Sequence, residues 1–404
     1  MTATMRATAP AVLGGEPAFA DGLPLVRPTI EDPTAVLRRF ESIVDSGMLT
    51  NGPTVRELEE LAAARLGVPH VVAVASCTSG LMLTLQAVGA RGPVVMPSFT
   101  FAASAHAVVW AGGSPVFAEV DPETATLDPD DAARCLDGAV AMTATHVYGT
   151  PCDTDRLQAI ADAAGIPLVY DAAHALGSRR RGVPVGGFGT AEVFSLSPTK
   201  VTVAGEGGLV STHDGGLAER LRYGRDYGNP GDYDCLFPGL NARMSELHAA
   251  LAIVSLAGLD TRIARRNELV AAFRAATLGL PGLRFPRLDD EDLSTYKDLT
   301  LIVDPEFGLS VPELRLALRA EGVDTRRYYH PPIHRQQAYR DLPVHRDLPV
   351  TDRLAERVLT VPLWSHMTDE QVAALAGAVV RVGTNAPAVA RQLRSVAHDA
   401  AERA

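Results

Sequence analysis

The sequence has few cysteines, no long apolar run and no long basic run. Its four cysteines show no C-x-x-C spacing, and four in a chain of 404 residues do not make a disulfide scaffold. No stretch of about 18 apolar residues occurs, which argues against a membrane-spanning helix. The net charge of -11 argues against a nucleic-acid partner. The first residues, MTATMRATAPAVLGG, lack the apolar centre of a signal peptide, so we expect a cytoplasmic protein.

The composition is that of a soluble globular enzyme, with 47% hydrophobic and 21% charged residues. A chain of this length is long enough for two domains. We predict an irregular N-terminal arm over 1–25, a large domain over 26–243, and a bridging helix with a small C-terminal domain over 244–384. The tail, 385–404, is either an extra helix or a frayed end.

Short β-branched apolar runs alternate with helical patterns through the large domain. The runs are HVVAVAS (70–76), PVVMPS (93–98), SPVFAEVD, AMTATHVYG and IPLVYDAAHALG. Runs that are buried on both faces and alternate with helices predict a parallel sheet in an α/β domain. After Gly182 the pattern becomes hairpin-like, with AEVFSLS followed by GGLVSTH.

Helical patterns flank this region. Helices are predicted from Thr34 to Ser46 and from Thr54 to Leu66, the second between Pro53 and Gly67 as start and stop signals. From Met244 to Arg274 the pattern predicts one long helix. The small domain then shows TYKDLTLIVD as a strand, VPELRLALRAEG as a helix, a proline-rich loop at YYHPPIH, and DEQVAALAGAVVRV as a helix.

The stretch VFSLSPTKVTVAGEGGLVST (193–212) allows two kinds of chemistry at Lys200. Ser197-Pro-Thr-Lys200 fits the S-x-x-K pattern of serine acyl-transferases. Those enzymes place the serine at the start of a helix, whereas Val201-Thr202-Val203 favours strand, and neither S-D-N nor K-T-G occurs. The alternative is that Lys200 is itself the nucleophile and forms a Schiff base with a carbonyl cofactor.

Residues suited to pyridoxal phosphate stand at suitable places in the chain. The pyridine nitrogen needs a carboxylate, and Asp171 ends the run IPLVYD, at the carboxyl end of a predicted parallel strand. The phosphate needs N–H groups at a helix start, which AVASCTSGLMLTL offers, with hydroxyls from Thr78 and Ser79. Ordinary turn and capping roles explain these residues singly. Ser195, near Lys200, could add a further hydroxyl.

Two more side chains suit the cofactor ring. Phe101 opens the helix after the second strand and could cover a ring face, although a core position is the simpler interpretation of one phenylalanine. His174 follows Asp171 by three residues and could reach the phenolic oxygen or Asp171 itself. The order of phosphate cup, aromatic, aspartate and lysine along the chain is more specific than any single residue.

Other motifs receive ordinary structural interpretations. His330 and His334 are separated by Pro331-Pro332-Ile333, which prevents a helical metal pair, and we predict no metal site. VGGFGTAE (185–192) lacks the G-x-G-x-x-G spacing and indicates a turn. His146 is interpreted as a satisfied buried histidine. Arg179-Arg180-Arg181 is interpreted as a solvated hairpin tip, although a nearby diphosphate could use it.

The chain resembles the sugar aminotransferases of the DegT/DnrJ/EryC1/StrS family, which are fold type I pyridoxal phosphate enzymes. The likeness runs from GMLTNGPTVRELEE to VLTVPLWSHMTDEQV, and PSFTFAAS, THVYGTPCD, YDAAHALGS, SPTK with GEGGLVST, and NARMSELHAA carry it. The resemblance implies an α/β fold whose central sheet is mainly parallel and flanked by helices, with a smaller α+β C-terminal domain. Several independent motifs in the right order make chance a poor explanation.

The resemblance also implies roles for individual residues. Lys200 would form the Schiff base and shuttle the proton, Asp171 would pair with the pyridinium nitrogen, and Phe101 would cover the ring. The phosphate would be held by Thr78, Ser79 and Ser195. His174 would lie near the phenolic oxygen, Asn241 would reach the neighbouring subunit of a homodimer, and Arg243 and His334 would contact the nucleotide-sugar substrate.

The implied reaction moves the amino group of L-glutamate to a nucleotide-linked keto sugar, for which we take dTDP-4-keto-6-deoxyhexose as the first choice. A 3-keto sugar or a keto-inositol stays open, and so does a regulator that binds pyridoxal phosphate without turnover. Where relatives often have S-F-H or S-F-Y, this chain has Ser195-Leu196-Ser197. The position after Asn241 is commonly aromatic in relatives and is Ala242 in this chain. Both departures concern substrate choice. Retention of Lys200 argues against the dehydratases of the family, which carry histidine there.

Overall fold

A seven-stranded sheet forms the centre of the molecule. The computed structural model describes residues 9–340 and 347–402, with side chains up to residue 395. The strand order is β1-β9-β8-β5-β4-β2-β3, where the strands are β1 (His70–Val74), β2 (Pro93–Pro97), β3 (Ser114–Ala118), β4 (Ala141–Thr145), β5 (Leu168–Asp171), β8 (Ala191–Ser195) and β9 (Gly208–Thr212). Only β9 runs against its neighbours, which confirms the predicted mainly parallel sheet. Its strands are buried because helices cover both faces.

The first two helices of the large domain begin and end at recognisable signals, and Pro53 and Gly67 bound the second as predicted. Asp32 accepts a hydrogen bond from the Ala35 N–H at the start of the first helix, and Gly47 ends that helix with φ +69°. The helices are α1 (Pro33–Ser46), α2 (Pro53–Leu66), α3 (Cys77–Ala87), α4 (Ala102–Trp110), α5 (Pro129–Arg134), α6 (Thr154–Ala164) and α7 (Gly215–Gly224), with a 3-10 turn at Val147–Gly149.

A second, three-stranded sheet belongs to the C-terminal part of the chain. Its order is β10-β11-β12, all antiparallel, with β10 (Leu283–Arg284), β11 (Leu299–Val303) and β12 (Val358–Val361). Apolar side chains of this sheet share one buried cluster with the helices around it. The helices that contribute to this cluster are α9 (Leu259–Ala276), α10 (Val311–Ala320), α12 (Asp369–Thr384) and α13 (Ala386–Glu402). Two further helices of this part of the chain are α8 (Glu246–Ala257) and α11 (Pro349–Arg357). Short 3-10 helices occur at Ala11–Leu13, Pro305–Phe307 and Ile333–Arg335, and a two-stranded sheet pairs β6 (Arg179–Arg180) with β7 (Val183–Pro184).

The long helix predicted from Met244 to Arg274 is two helices, α8 and α9. They meet at Gly258 with a bend of 58°. Side chains of α8 such as Ile253 pack into the core of the large domain, whereas Phe273 of α9 packs into that of the small domain. The bend lets each half follow its own core, and glycine is destabilising in a helix interior because it loses more conformational freedom on folding than other residues.

The tail is a helix, α13, as one of the two predicted alternatives has it. Within the predicted N-terminal arm, the N–H groups of Ala11 and Ala18 donate to the carboxylate of Glu321, and Leu23 is buried in the core of the small domain. Residues 1–8 of the arm and 403–404 of the tail lie outside the described residues, and the domain boundaries stay a prediction.

The structure supports the structural interpretation of His146 as a core residue and contradicts that of Arg180. His146 is fully buried, stacks on Tyr170 and accepts a hydrogen bond at Nδ1 from the Cys152 N–H at 2.9 Å, which confirms a buried core histidine. Its Nε2 is buried without a hydrogen-bond partner among the described residues, so the ring is satisfied at one nitrogen only. The interpretation of Arg179-Arg180-Arg181 as a solvated hairpin tip is wrong for Arg180. Its guanidinium is buried and binds the carboxylates of Asp289 and Asp292, each at 2.8 Å, because a loop of the C-terminal part packs over the hairpin.

Among the described residues, no single helix is long and apolar enough to cross a membrane. In two places, two consecutive helices are long and apolar enough only when their lengths are added, and the two helices of each pair are bent against each other by 58° and 79°. The cytoplasmic location stays a prediction.

Candidate active site

A cavity of about 320 Å³ opens at the carboxyl ends of the parallel strands. Thr145, Asp171 and Ser195 are the last residues of β4, β5 and β8, and all three line it. Side chains that follow several parallel strands meet at one edge of the sheet, which is where α/β sheets bind ligands. A larger groove, of about 850 Å³, lies on the small domain around Arg315 and Arg319, but the predicted nucleophile and carboxylate are not in it.

Asp171 is a buried carboxylate in the floor of the cavity, with 4% of its surface exposed. Its Oδ2 accepts a hydrogen bond from Ser104 Oγ at 2.6 Å, and its Oδ1 accepts from the Ala173 N–H at 3.1 Å. Burial raises the pKa of this carboxyl, and the two hydrogen bonds and the charge of Lys200 oppose that rise. Such a carboxylate suits a cationic ring nitrogen, which would supply the missing partner charge.

Lys200 lies in the wall of the same cavity, on the loop that joins β8 to β9. Its backbone N–H donates to the Ser197 carbonyl at 3.0 Å in a turn, so Ser197 and Lys200 do not share the helix that an S-x-x-K enzyme needs. Burial, followed by the positive charge of Lys297, lowers the pKa of Lys200, and the negative charges of Asp298 and Asp171 oppose this, so that the pKa is about 8. An amine with this pKa is partly neutral near neutral pH and can act as nucleophile or base.

The start of α3 forms a cup beside Lys200. Thr78 and Ser195 line the cavity, as predicted for a phosphate site. The hydroxyl of Ser79 instead forms a capping box with Ser76, so its side chain stabilises the helix start. Gly208 of β9 packs so closely against this turn that an added Cβ would lie 2.7 Å from the Cys77 nitrogen.

The two ring-contacting candidates also reach the cavity. Phe101 lines it and is 60% exposed, with its ring centroid 6.3 Å from that of Tyr329. His174 accepts a hydrogen bond at Nδ1 from the Tyr148 N–H, at 3.1 Å. Burial, together with the charges of Lys200 and Lys297, holds the pKa of His174 well below its usual value, so the ring is neutral.

Three predicted residues do not line this cavity. Asn241 is exposed and pairs through its backbone with Asp226. Arg243 forms an ion pair with Asp226 and lies over the ring of Tyr227, 5.4 Å from its centroid. Both belong to the segment 226–243 on the surface of the subunit.

His334 is the third. It is buried, with Nδ1 at 2.7 Å from Ser98 Oγ and Nε2 at 3.1 Å from Asp352. Both ring nitrogens therefore face groups of the same chain, and no contact with the cavity supports the predicted substrate role. Among the described residues, no group of three or more side chains could hold a metal ion.

Sequence reasoning missed the wall that the small domain supplies. Lys297, Tyr328 and Tyr329 line the cavity, and Asp298 is the buried ion-pair partner of Lys297. TYKDLTLIVD was interpreted as one strand, but β11 begins only at Leu299. Two adjacent ionisable residues at the edge of an apolar run were the available signal, because a buried strand rarely carries them.

The geometry fits pyridoxal phosphate. A buried carboxylate, a lysine amine of lowered pKa and a helix-start cup with free hydroxyls face one cavity, and each matches a different group of that cofactor. Thr78, Ser195, Asp171 and Lys200 would hold it.

Comparison with known proteins gives concordant results. A dTDP-3-amino-3,4,6-trideoxy-alpha-D-glucose transaminase of Streptomyces venezuelae is 35% identical over 343 residues, which are 83% of this chain and 89% of that protein. The crystal structure of DesI in the presence of its TDP-sugar product is 38% identical, with a TM-score of 0.89, and the match covers 95% of this chain and 99% of DesI. The S. venezuelae DesV structure, in complex with a ketimine intermediate, is 32% identical with a TM-score of 0.83, over 89% and 99% of the two chains.

The sequence model of the DegT/DnrJ/EryC1/StrS aminotransferase family matches residues 32–380. The match includes every residue placed at the cavity, and the family uses pyridoxal phosphate. The enzyme interpretation is thereby confirmed over that of a regulator without turnover. The chain belongs to the DegT/DnrJ/EryC1/StrS family and is a pyridoxal phosphate-dependent aminotransferase.

Proposed function

We propose that this enzyme transfers the amino group of L-glutamate to a nucleotide-linked keto-deoxysugar, with dTDP-4-keto-6-deoxyhexose as acceptor and dTDP-4-amino-4,6-dideoxyhexose as product. The observation that carries the proposal is the convergence of the Lys200 amine and the Asp171 carboxylate on one cavity. The likeness to DesI, whose structure contains a TDP-sugar product, supports a nucleotide sugar as acceptor.

Bound pyridoxal phosphate supplies an aldehyde that accepts an amino group and a ring that withdraws electrons. Asp171 keeps a proton on the pyridine nitrogen through its ionised carboxylate, and Ser104 holds that carboxylate in position from 2.6 Å. The amine of Lys200 takes the proton from the reacting carbon of the donor and returns a proton in the second half of the reaction.

The other wall residues position the reactants. Thr78 and Ser195 bind the phosphate with their hydroxyls, assisted by the N–H groups at the start of α3. Phe101 covers one face of the ring and excludes water from it. Because Nδ1 of His174 accepts from the Tyr148 N–H and the ring is neutral, its proton is on Nε2, which can donate a hydrogen bond without adding charge beside Lys200.

We further propose that the enzyme is a homodimer in which Asn241 completes the partner's site. The segment 226–243 has large apolar side chains on its surface, with Tyr233 92% and Leu236 63% exposed. Exposed apolar groups that cluster in this way mark contact surfaces. Asn241 and Arg243 lie on this segment, away from the cavity of their own subunit.

Complementation tests the shared site. Lys200→Ala and Asn241→Ala are each expected to be inactive as pure proteins. After the two are mixed and allowed to exchange subunits, mixed dimers contain one cavity with both native residues, so activity returns. Absence of recovery, with subunit exchange verified by native mass spectrometry, would contradict a shared site.

A 3-keto acceptor is the second candidate, because the S. venezuelae relative that matches 83% of this chain is a 3-amino-sugar transaminase. A keto-inositol acceptor has no comparable support. The three are separated by incubating the enzyme with ¹⁵N-glutamate and each acceptor, and locating the label in the product by mass spectrometry and NMR. Label at C4 supports the first choice, and label at C3 alone replaces it with the second.

The first half-reaction is tested by absorption. Purified enzyme loaded with pyridoxal phosphate should be yellow and should lose this colour on addition of glutamate, whereas Lys200→Ala should not respond. A coloured enzyme that ignores glutamate but responds to another amino acid would overturn the donor. A protein that does not bind the cofactor would overturn the proposal.

A further inference from the structure

Lys297 reaches the cavity from the small domain, directly before β11. It lines the cavity although only 4% of its surface is exposed. Its Nζ binds Asp298 Oδ1 at 2.7 Å and lies 5.2 Å from the centroid of the Tyr328 ring. A buried ammonium must be paired, and both contacts stabilise the charged form.

Lysine is nearly absent from this protein, and both of its lysines are at this site. Of the 37 Lys and Arg residues, only Lys200 and Lys297 are lysines. They line the same cavity, and no arginine within the described ranges 9–340 and 347–395 lines it. A compact ammonium fits beside Lys200 where a planar guanidinium would need more space and a different hydrogen-bond geometry.

The hydrogen-bonding capacity of Lys297 is not exhausted. An ammonium has three donors, and among the described residues one acceptor, Asp298 Oδ1, is within hydrogen-bond distance of its Nζ. The second oxygen of Asp298 is buried and also has no hydrogen-bond partner there. The pair therefore presents unused donors in a cavity that receives an anionic substrate.

We propose that Lys297 binds the α-carboxylate of the amino-acid donor and that Asp298 positions it. This inference rests on the proposed function, since it assumes an α-amino acid as donor. Two N–H groups of the ammonium would meet carboxylate oxygens while the third stays on Asp298. Lys200, the other cation of the cavity, reacts as a neutral amine and cannot serve as this anchor.

The position favours a carboxylate over the diphosphate of the sugar nucleotide. In an α-amino acid the carboxylate is bonded to the carbon that loses the proton, so it lies next to Lys200. In a nucleotide sugar the diphosphate is attached at C1, across the ring from a keto group at C3 or C4. Lys297 and Lys200 line the same cavity of about 320 Å³, so a carboxylate bonded to the reacting carbon lies within this cavity, beside both side chains.

The test separates the two half-reactions of Lys297→Met. Loss of colour on titration with glutamate reports the first, and amination of the keto-sugar nucleotide by enzyme already converted to the amine form reports the second. We expect the half-saturating glutamate concentration to rise roughly 10- to 100-fold, as for loss of a charged hydrogen bond. The half-saturating concentration of the sugar nucleotide should stay within about threefold.

Comparison of glutamate with 4-aminobutyrate, which lacks the α-carboxylate, sharpens the assignment. Wild-type enzyme should prefer glutamate strongly, Lys297→Met should lose most of that preference, and Lys297→Arg should keep part of it. Asp298→Asn should raise the half-saturating glutamate concentration with a smaller change in the maximal rate. Arg38→Met removes a positive charge from an exposed side chain and should change neither quantity.

The outcomes that overturn the inference are distinct. An unchanged preference for glutamate in Lys297→Met excludes carboxylate binding. A rise confined to the sugar nucleotide assigns Lys297 to the diphosphate instead. Equal losses with both donors, in Lys297→Met and Lys297→Arg alike, indicate a structural role only. The proposed function fails separately, when wild-type enzyme itself transfers no amino group from any α-amino acid.

Discussion

The two walls of the active-site cavity are built on different principles. The wall from the large domain consists of strand ends and helix starts, so Thr78, Asp171 and Ser195 follow from the regular alternation of strands and helices. The wall from the small domain consists of irregular segments that carry Lys297, Tyr328 and Tyr329. The side chains of the first wall match the groups of the cofactor. We propose that the second wall contacts the substrate.

Because the two walls differ in this way, we expect that substitutions can alter the cofactor-binding residues and the substrate-binding residues independently. Changes in the large-domain wall should affect both half-reactions, because the cofactor takes part in each. Changes in the small-domain wall should affect one half-reaction and spare the other.

The largest effect is expected for Lys200→Ala. The variant lacks both the nucleophile and the proton carrier, so transamination should fall by at least ~10³–10⁴-fold. Single-turnover assays of each half-reaction should show the same loss. A variant that keeps one half-reaction near the wild-type rate would contradict a shared role of Lys200.

Asp171→Asn is expected to be the next most harmful. The amide cannot keep a proton on the ring nitrogen, so both half-reactions should slow by ~100-fold or more, the equivalent of about 3 kcal/mol. Retention of cofactor, measured by absorption after gel filtration, distinguishes slow chemistry from a lost cofactor. A loss in only one half-reaction would contradict the expectation that changes in the large-domain wall affect both half-reactions.

The pH dependence of cofactor capture connects the two walls. Lys200 reacts as the neutral amine and its pKa is about 8, so the rate at which cofactor-free enzyme binds pyridoxal phosphate should rise with pH through about 8. Removing the positive charge of Lys297 raises the pKa of Lys200, so Lys297→Met should shift this profile to higher pH. Stopped-flow absorption between pH 6 and 10 checks the direction, and an unshifted profile would show that the lysines do not interact.

The smallest effect is expected for Ser104→Ala. This variant removes the 2.6 Å hydrogen bond to Asp171 but leaves the Ala173 N–H in place. The hydrogen bond lowers the pKa of Asp171, so its loss raises that pKa and moves the acid limb of the rate profile to higher pH. The rate should fall by about 10-fold, and Ser104→Thr should recover part of it.

The alternation of apolar runs and helices was enough to predict the parallel sheet, and the end of the run IPLVYD was enough to place Asp171 at its carboxyl edge. Both inferences rest on local regularities, since a strand end in a parallel sheet has a known place relative to its neighbours. The same reasoning failed for the bend between α8 and α9, because a continuous apolar pattern does not report that its halves belong to different cores.

What the sequence by itself determined is the fold class and, through the family resemblance, the cofactor; the roles of Lys200 and Asp171 stay a prediction. Only the tertiary structure decided that Lys297, nearly 100 residues away in the chain, lines the same cavity as Lys200, and that His334 lies between Ser98 and Asp352. These outcomes depend on how two domains pack against each other. Contacts between segments far apart in the chain leave no periodic signal, so they are visible only once the domains have met.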